Sequence, residues 1–448
     1  MTDDTTGTGA NDGGRGRAPV PESLDSLEGL ALGDAFGERW FHTFRSPERA
    51  LAEIARREPP AESPWRWTDD TAMAVSVLRV LHEHGEVVPH RLAAFFAESF
   101  AADPRRGYGS GMHRLLPGLA VDPTTWSVAA RDLFGGEGSL GNGAAMRVAP
   151  LGAWYAGDPG AAARAAELSA RVTHAHPQGV AGAVAVAVAA AILAGRDPAA
   201  PTGGELLMVV AGHLPAGEVR GGVERAIDLP GDAGPERAAA LLGSGDRVRA
   251  DDTVPFALWC AAHRADDLTE ALWTTAAGFG DVDTTCAIVG GVVAARTGLG
   301  GVPPTWWERR EPLPAPFARW RPVRSRGGQG RGPDAGPIRN RSLRMRVPVA
   351  GPTVRTTTGP LPGPRGTGEQ EAHRMSTSDE SSSGTERNEP LDENRPTPDR
   401  LLHTGGDRPV DPEDLVRLTG REPTPERLEW ARKKLEEEGP AAVERLLP

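Results

Sequence analysis

The sequence predicts an all-α fold, and three observations lead to that prediction. Between residues 23 and 318, Ala, Leu and Val recur at i, i+3 and i+4, the spacing that lines one face of a helix. Gly, Pro and Asp interrupt the pattern at intervals of roughly 10 to 20 residues, as helix starts and stops do. No run of alternating β-branched residues bounded by turn residues is found, so nothing argues for a sheet.

Helical periodicity is read over 24–37, 71–84, 89–100, 144–155, 161–173, 179–194, 255–263 and 284–297. Together these segments predict a compact multi-helix bundle with Gly-rich connections. Ala183, Ala185, Ala187 and Ala189 are small enough to let central helices pack closely. The apolar run at 179–195 falls short of the ~18 residues that mark a membrane span, so it is read as a buried core helix and no membrane partner is assigned.

Outside 23–318 the texture changes. Residues 1–22 are polar and Gly-rich, with no basic start and no apolar core, so they are expected to be a disordered leader and not a signal peptide. Residues 319–408 carry Arg, Gly, Pro, Ser and acidic residues but few apolar ones, and are expected to be a disordered linker. Helical spacing returns within 409–448, over 412–418 and 425–447. There Leu428, Ala431, Leu435, Val443 and Leu446 form one stripe. This small helical appendage is expected to dock on the main domain or on a protein partner.

The formal net charge of -11 and an isoelectric point near 5.6 fit a cytoplasmic protein and give no general reason to bind nucleic acid. The Arg-Gly stretch after residue 319 is read as a solvated linker. Two cysteines, Cys260 and Cys286, exclude a disulfide framework and a Cys-based metal site.

Chemistry-bearing residues concentrate in a few segments. Thr68-Asp69-Asp70-Thr71 stands directly before an apolar helical run. Asp and Thr are good helix caps; clustered carboxylate and hydroxyl oxygens are also what hard divalent cations take as ligands. Asp281-Val282-Asp283-Thr284-Thr285 repeats the arrangement far along the chain. Two such clusters, each at a helix N-terminus, are expected to converge on one binuclear oxygen-ligated site. The copy at 2–5 precedes no helix and is accidental, and Asp251-Asp252-Thr253 is read as a helix cap.

Four further features lie inside the helical region. Gly29, Gly33 and Gly37, at a spacing of four, allow close helix approach, and Asp34 among them is expected to pin a helix by hydrogen bonding. Gly107-Tyr108-Gly109-Ser110-Gly111 and Gly138-Ser139-Leu140-Gly141-Asn142-Gly143 are Gly-rich loops, the second opening a helix. Each reads by itself as an interhelical turn, or as a backbone cradle for phosphate oxygens. His174 and His176 flank a loop before Pro177, and His174 is expected to hydrogen bond there and not to ligate metal.

Taken in order, these segments resemble the ADP-ribosylglycohydrolase family, ADP-ribosylhydrolases of the dinitrogenase-reductase-activating type. The resemblance implies an all-α bundle with a cleft holding two Mg²⁺ or Mn²⁺ ions. It matches Thr68, Asp69 and Asp70 to one ligand motif, and Asp281, Asp283 and Thr284 to the other. Ser139, Gly141, Asn142 and Gly143 match the loop around the ligand's diphosphate, His174 a ribose or phosphate contact, and Gly107, Gly109 and Gly111 a second ligand-wrapping loop. The implied activity is hydrolysis of the glycosidic bond of ADP-ribose on a protein side chain or small-molecule acceptor, by metal-activated water. Asp69, Asp70, Asp281 and Asp283 keep the ions, and one of them takes the water proton. The chain departs at residue 41, where some members carry Glu and this sequence has Phe41; Glu38 is the nearest carboxylate.

Overall fold

A computed structural model describes residues 20–41, 46–317, 412 and 425–438. Sixteen α-helices occupy the described residues of 20–317: α1 Pro21–Gly37, α2 Pro47–Ala55, α3 Asp69–His84, α4 Pro89–Ala102, α5 Ser110–Val121, α6 Trp126–Asp132, α7 Ala149–Trp154, α8 Pro159–Arg171, α9 Pro177–Ala194, α10 Gly203–Gly212, α11 Glu218–Ile227, α12 Pro235–Leu242, α13 Ala250–His263, α14 Leu268–Ala276, α15 Val282–Thr297 and α16 Pro304–Arg309. A further helix, α17, spans Pro425–Glu438. Among the described residues the only strand-like pairings are two isolated bridges, Trp65 with Arg310 and Gly141 with Arg249.

Pro begins many of these helices because its fixed φ suits the first turn and its missing N–H is not needed there. α1, α9 and α15 are apolar around most of their circumference and form the centre of the bundle. α9 is long and apolar enough to match a membrane span by length and composition, but 83% of it is buried inside the protein. It packs on α7, α8, α13 and α15.

The closest crossing is α1 on α15, and glycine makes it. A Cβ on Gly33 would stand 2.0 Å from the Cys286 carbonyl oxygen, and one on Gly29 would stand 2.4 Å from that of Gly290. Backbone meets backbone along this seam, as the spacing of four predicts. The crossing carries the N-terminus of α15 to the C-terminal end of α1.

Three boundaries differ from expectation. α1 starts at Pro21, two residues inside the expected leader. The helix read over 144–155 is a short 3₁₀ turn, Asn142–Ala144, then a break, then α7; the Gly-rich loop occupies what periodicity alone assigned to a helix. α13 starts at Ala250, not at 255, and carries Pro255 inside it. α17 lies within the expected C-terminal appendage, while the linker, most of the leader and the remainder of the appendage apart from residue 412 lie outside the described residues.

The segment after α15 returns to brace the start of α3. The Trp65 N–H donates to the Arg309 carbonyl, and the Glu311 N–H to that of Trp65. Arg310 forms a buried ion pair with Glu28 of α1. Arg106 donates to the Trp67 carbonyl and to both Glu311 oxygens, with its guanidinium 3.7 Å from the Trp67 ring centre. Phe36, Trp40, Trp65, Trp273 and Trp306 pack ring against ring beside this brace.

Candidate active site

The site is organised around Asp34, near the end of α1. Its carboxylate accepts hydrogen bonds from the Thr68 N–H, at 2.9 and 3.0 Å, and from the N–H and hydroxyl of Thr71. These donors are the cap and first turn of α3. One helix turn further along α1, a Cβ on Gly37 would stand 2.6 Å from Cα of Asp283. α1 therefore fixes both Asp/Thr clusters at once, and the expected pinning role of Asp34 is the observed one.

Both clusters open their helices. Thr68 is the N-cap of α3, its hydroxyl accepting from the Asp70 N–H; Asp281 is the N-cap residue of α15. Thr68, Asp69, Asp70, Asp281, Asp283 and Thr284 are all 2% to 8% exposed. Burial, and next the charge of Asp283, push Asp69 and Asp70 well above the usual carboxylate range. Asp281 is pushed up by burial and Asp283 in the same way. The charge of Asp283 opposes ionisation of Asp281, so a proton or a cation there relieves the repulsion.

Among the described residues, none of these four carboxylates has an ion pair with Arg, Lys or His, and Asp70 Oδ1 is buried with no hydrogen-bond partner. Nor, among the described residues, do three or more His, Cys, Asp or Glu side chains gather in an arrangement that could hold a metal ion. The donor set nonetheless suits a hard divalent cation: oxygen only, strongly acidic, and short of positive charge.

Turn chemistry aims Asp281. Phe279 (φ 54°) and Gly280 (φ 77°) are both left-handed, and a Cβ on Gly280 would lie 2.4 Å from the Ser244 carbonyl oxygen. The neighbouring loop borders an open pocket of about 750 Å³ whose lining includes Ser244, Asp246, Arg247 and Phe279.

The loop at 138–143 lies against the second cluster. The Asn142 side-chain amide donates to Asp281 Oδ2 at 2.6 Å and to Thr253 Oγ1 at 3.0 Å, while its N–H donates to the Val248 carbonyl. Ser139 Oγ accepts from the Gly141 N–H. Cβ atoms on Gly141 and Gly143 would lie 3.5 and 3.1 Å from His174 Nε2, so the loop and His174 share one wall. Burial holds the His174 pKa near 3, far below an ordinary imidazole, so the ring is neutral.

Gly107 adopts φ +97°, and a Cβ there would lie 3.2 Å from Asp69 Oδ1. Gly109 precedes α5 with open space around it, and Gly111 is buried inside α5. The 107–111 segment thus meets the site through Gly107.

The family model for ADP-ribosylglycohydrolase matches residues 23–323. The chain belongs to the ADP-ribosylglycohydrolase family. It is 26% identical over 325 residues to the ADP-ribosylhydrolase ARH3 of Homo sapiens, covering 64% of this chain and 88% of that protein. Against the ADP-ribosylhydrolase ARH3 of Mus musculus the identity is 27% over 327 residues, covering 64% and 86%. A solved chain described as an ADP-ribosylglycohydrolase-related protein complex aligns at 26% identity with a TM-score of 0.47, covering 65% of this chain and 92% of its own. This ADP-ribosylglycohydrolase is accordingly an enzyme that hydrolyses glycosyl bonds.

Several participants were not legible as such. Glu38 lies within electrostatic range of Asp283, Asp34 and Asp69, and burial followed by Asp283 raises its pKa to about 9. It is thus a sixth carboxyl group in this cluster, beside Asp34 and the four aspartates of the two helix starts, and residue 41 is Phe. Thr253 orients Asn142, and Asp251 and Asp252 pair with Arg249 and Arg247. The 251–253 motif therefore holds the preceding loop and is not an N-cap, since α13 is flanked by Arg249 without a side-chain cap. Arg147, six residues after Gly141, is wholly buried. Nothing in its local sequence distinguishes it from a surface arginine.

Proposed function

We propose that this ADP-ribosylglycohydrolase uses two divalent cations, Mg²⁺ or Mn²⁺, to release ADP-ribose from a modified protein side chain or small-molecule acceptor. The observation that carries the reading is the meeting of two buried acidic helix N-termini across Asp34, with, among the described residues, no cationic side chain paired to them and no partner for Asp70 Oδ1. Thr68, Asp69, Asp70, Asp281, Asp283 and Thr284 would hold the ions. When bound, such ions polarise ribose oxygens and acidify water. Cleavage at the anomeric carbon passes through an oxocarbenium-like state, which needs no side-chain nucleophile.

The protein's own groups then have defined tasks. Asn142 keeps Asp281 in place, and the loop glycines let the ligand's diphosphate approach the backbone closely. A carboxylate oxygen of the acidic set not engaged with an ion accepts the proton of the attacking water. Glu38 is a further carboxyl within range of that exchange.

The test is a panel of ADP-ribosyl-arginine, ADP-ribosyl-serine and ADP-ribosyl-nucleotide substrates given to the full chain. Free ADP-ribose should appear from at least one, cease with EDTA and return with Mg²⁺ or Mn²⁺. Asp70→Asn should abolish release and weaken Mn²⁺ binding. Release indifferent to EDTA would remove the cations from the reading; no release from any substrate would sink it altogether.

A further inference from the structure

Arg147 is an expensive residue. It is 0% exposed and has no ion pair among the described residues, and burying an unpaired guanidinium costs several kcal/mol. Burial lowers its pKa to about 9, with the Asp69 charge opposing that shift. Its guanidinium lies 4.4 Å from the Phe96 ring centre. Nη1 reaches Met73 Sδ at 3.7 Å, and Nη2 donates to the Ser169 carbonyl at 3.1 Å and to Thr173 Oγ1 at 2.8 Å. Thr173 Oγ1 is in turn 2.7 Å from His174 Nδ1.

The hydrogens of this chain can be counted. A guanidinium only donates, so Thr173 Oγ1 must accept from Arg147. The hydroxyl's one hydrogen has a single acceptor recorded among the described residues, His174 Nδ1. The oxygen could accept from Nδ1–H as well, but the hydrogen of this fully buried hydroxyl would then have no acceptor, at a cost of about 1–3 kcal/mol; Nδ1 as acceptor avoids that cost, and in a neutral ring the remaining hydrogen belongs to Nε2. Nε2 has no protein hydrogen bond among the described residues and lies against the Gly141–Gly143 wall.

We propose that Arg147 and Thr173 are positioning residues that lock His174 as the Nε2–H tautomer, making it a neutral donor to a phosphate or ribose oxygen of the nucleotide bound against Gly141 and Gly143. The tautomer follows from the contacts together with the need to satisfy the buried Thr173 hydroxyl hydrogen; the ligand half rests on the proposed function above. A neutral donor suits the place, because Arg147 already supplies the positive charge and its field disfavours a second one on His174.

The experiment separates the two halves. The full chain is labelled with ¹⁵N-histidine, and His174, one of 11 histidines, is assigned by loss of its signals in His174→Gln. At neutral pH without ligand, Nδ1 should show the shift of an unprotonated nitrogen and Nε2 that of a protonated one. A protonated Nδ1 overturns the relay, whatever the enzyme does. ADP-ribose affinity is then measured for wild type, Thr173→Ser and Thr173→Val, alongside urea unfolding. Thr173→Ser should keep wild-type affinity, while Thr173→Val should lose on the order of tenfold, the scale of one hydrogen bond, with KM rising more than kcat falls. Equal affinity in all three overturns the positioning role. Wild-type protein that fails to bind ADP-ribose while showing the expected tautomer leaves the relay intact and refutes the ligand assignment.

Discussion

Gly37→Ala tests how far the site depends on the α1–α15 crossing. The added methyl would sit 2.4 Å from the Val282 carbonyl oxygen and 2.6 Å from Cα of Asp283. Non-bonded carbon atoms settle about 3.5–4.0 Å apart, so the start of α15 must retreat by roughly 1 Å. Both obstructing groups are backbone and cannot rotate away. Overpacking of this kind costs about 1–3 kcal/mol, and the better helix propensity of Ala returns up to about 1 kcal/mol. The net stability loss is thus expected at about 0–2 kcal/mol, small enough for the protein to remain folded. Activity should suffer far more, because a 1 Å misplacement in a catalytic constellation costs about 100-fold. The control is Gly118→Ala in α5, where the position is exposed and nothing lies within 4 Å of the new Cβ. Urea unfolding and initial rates of ADP-ribose release are measured on both variants. Wild-type turnover in Gly37→Ala, or an equal loss in Gly118→Ala, would refute the claim that this seam sets the distance between the two acidic clusters.

Three other outcomes follow from the same contacts. Asp34→Ala strands the N–H groups of Thr68 and Thr71; at about 1–3 kcal/mol for each buried donor, urea unfolding should show a loss of about 2–6 kcal/mol, and an unchanged midpoint would contradict the pinning role. His174, with its folded pKa near 3, is neutral in the native state, so its contribution is complete above the unfolded pKa of about 6.5 and declines as pH falls toward 3. The difference in unfolding free energy between wild type and His174→Gln should therefore shrink by about 1.4 kcal/mol per pH unit between about pH 6 and pH 4; a pH-independent difference counts against it. Arg310→Ala removes the ion-pair partner of buried Glu28 and should cost about 3–5 kcal/mol, whereas Glu28→Leu combined with Arg310→Met should recover most of that. A double variant as unstable as the single one would show that the charges themselves are required.

What local chemistry specifies was readable in one dimension. The Asp/Thr clusters announce helix starts because their oxygens satisfy free N–H groups next to them in sequence. The spacing of Gly29, Gly33 and Gly37 announces a close crossing because residues four apart share a helix face. The helical periodicity of 23–318 announces the all-α class for the same reason. Where the Gly-rich loop interrupts, periodicity misleads: residues 144–155 carry apolar spacing because they are buried, not because they are one helix.

Pairing across the chain belonged to the tertiary structure. Nothing near Asp34 names Thr68 and Thr71 as its donors, nothing near Arg147 marks it as buried beneath His174, and Thr253 looks like a cap until Asn142 is found on it. These contacts join residues 26 to 111 positions apart, so they exist only once helices cross and backbone approach, burial and charge are decided together. The sequence by itself therefore determined which oxygen-bearing residues would open helices α3 and α15. The crossing of α1 with α15 decided that the two caps would lie together, because there glycines let backbone meet backbone and bring buried carboxylates within each other's field.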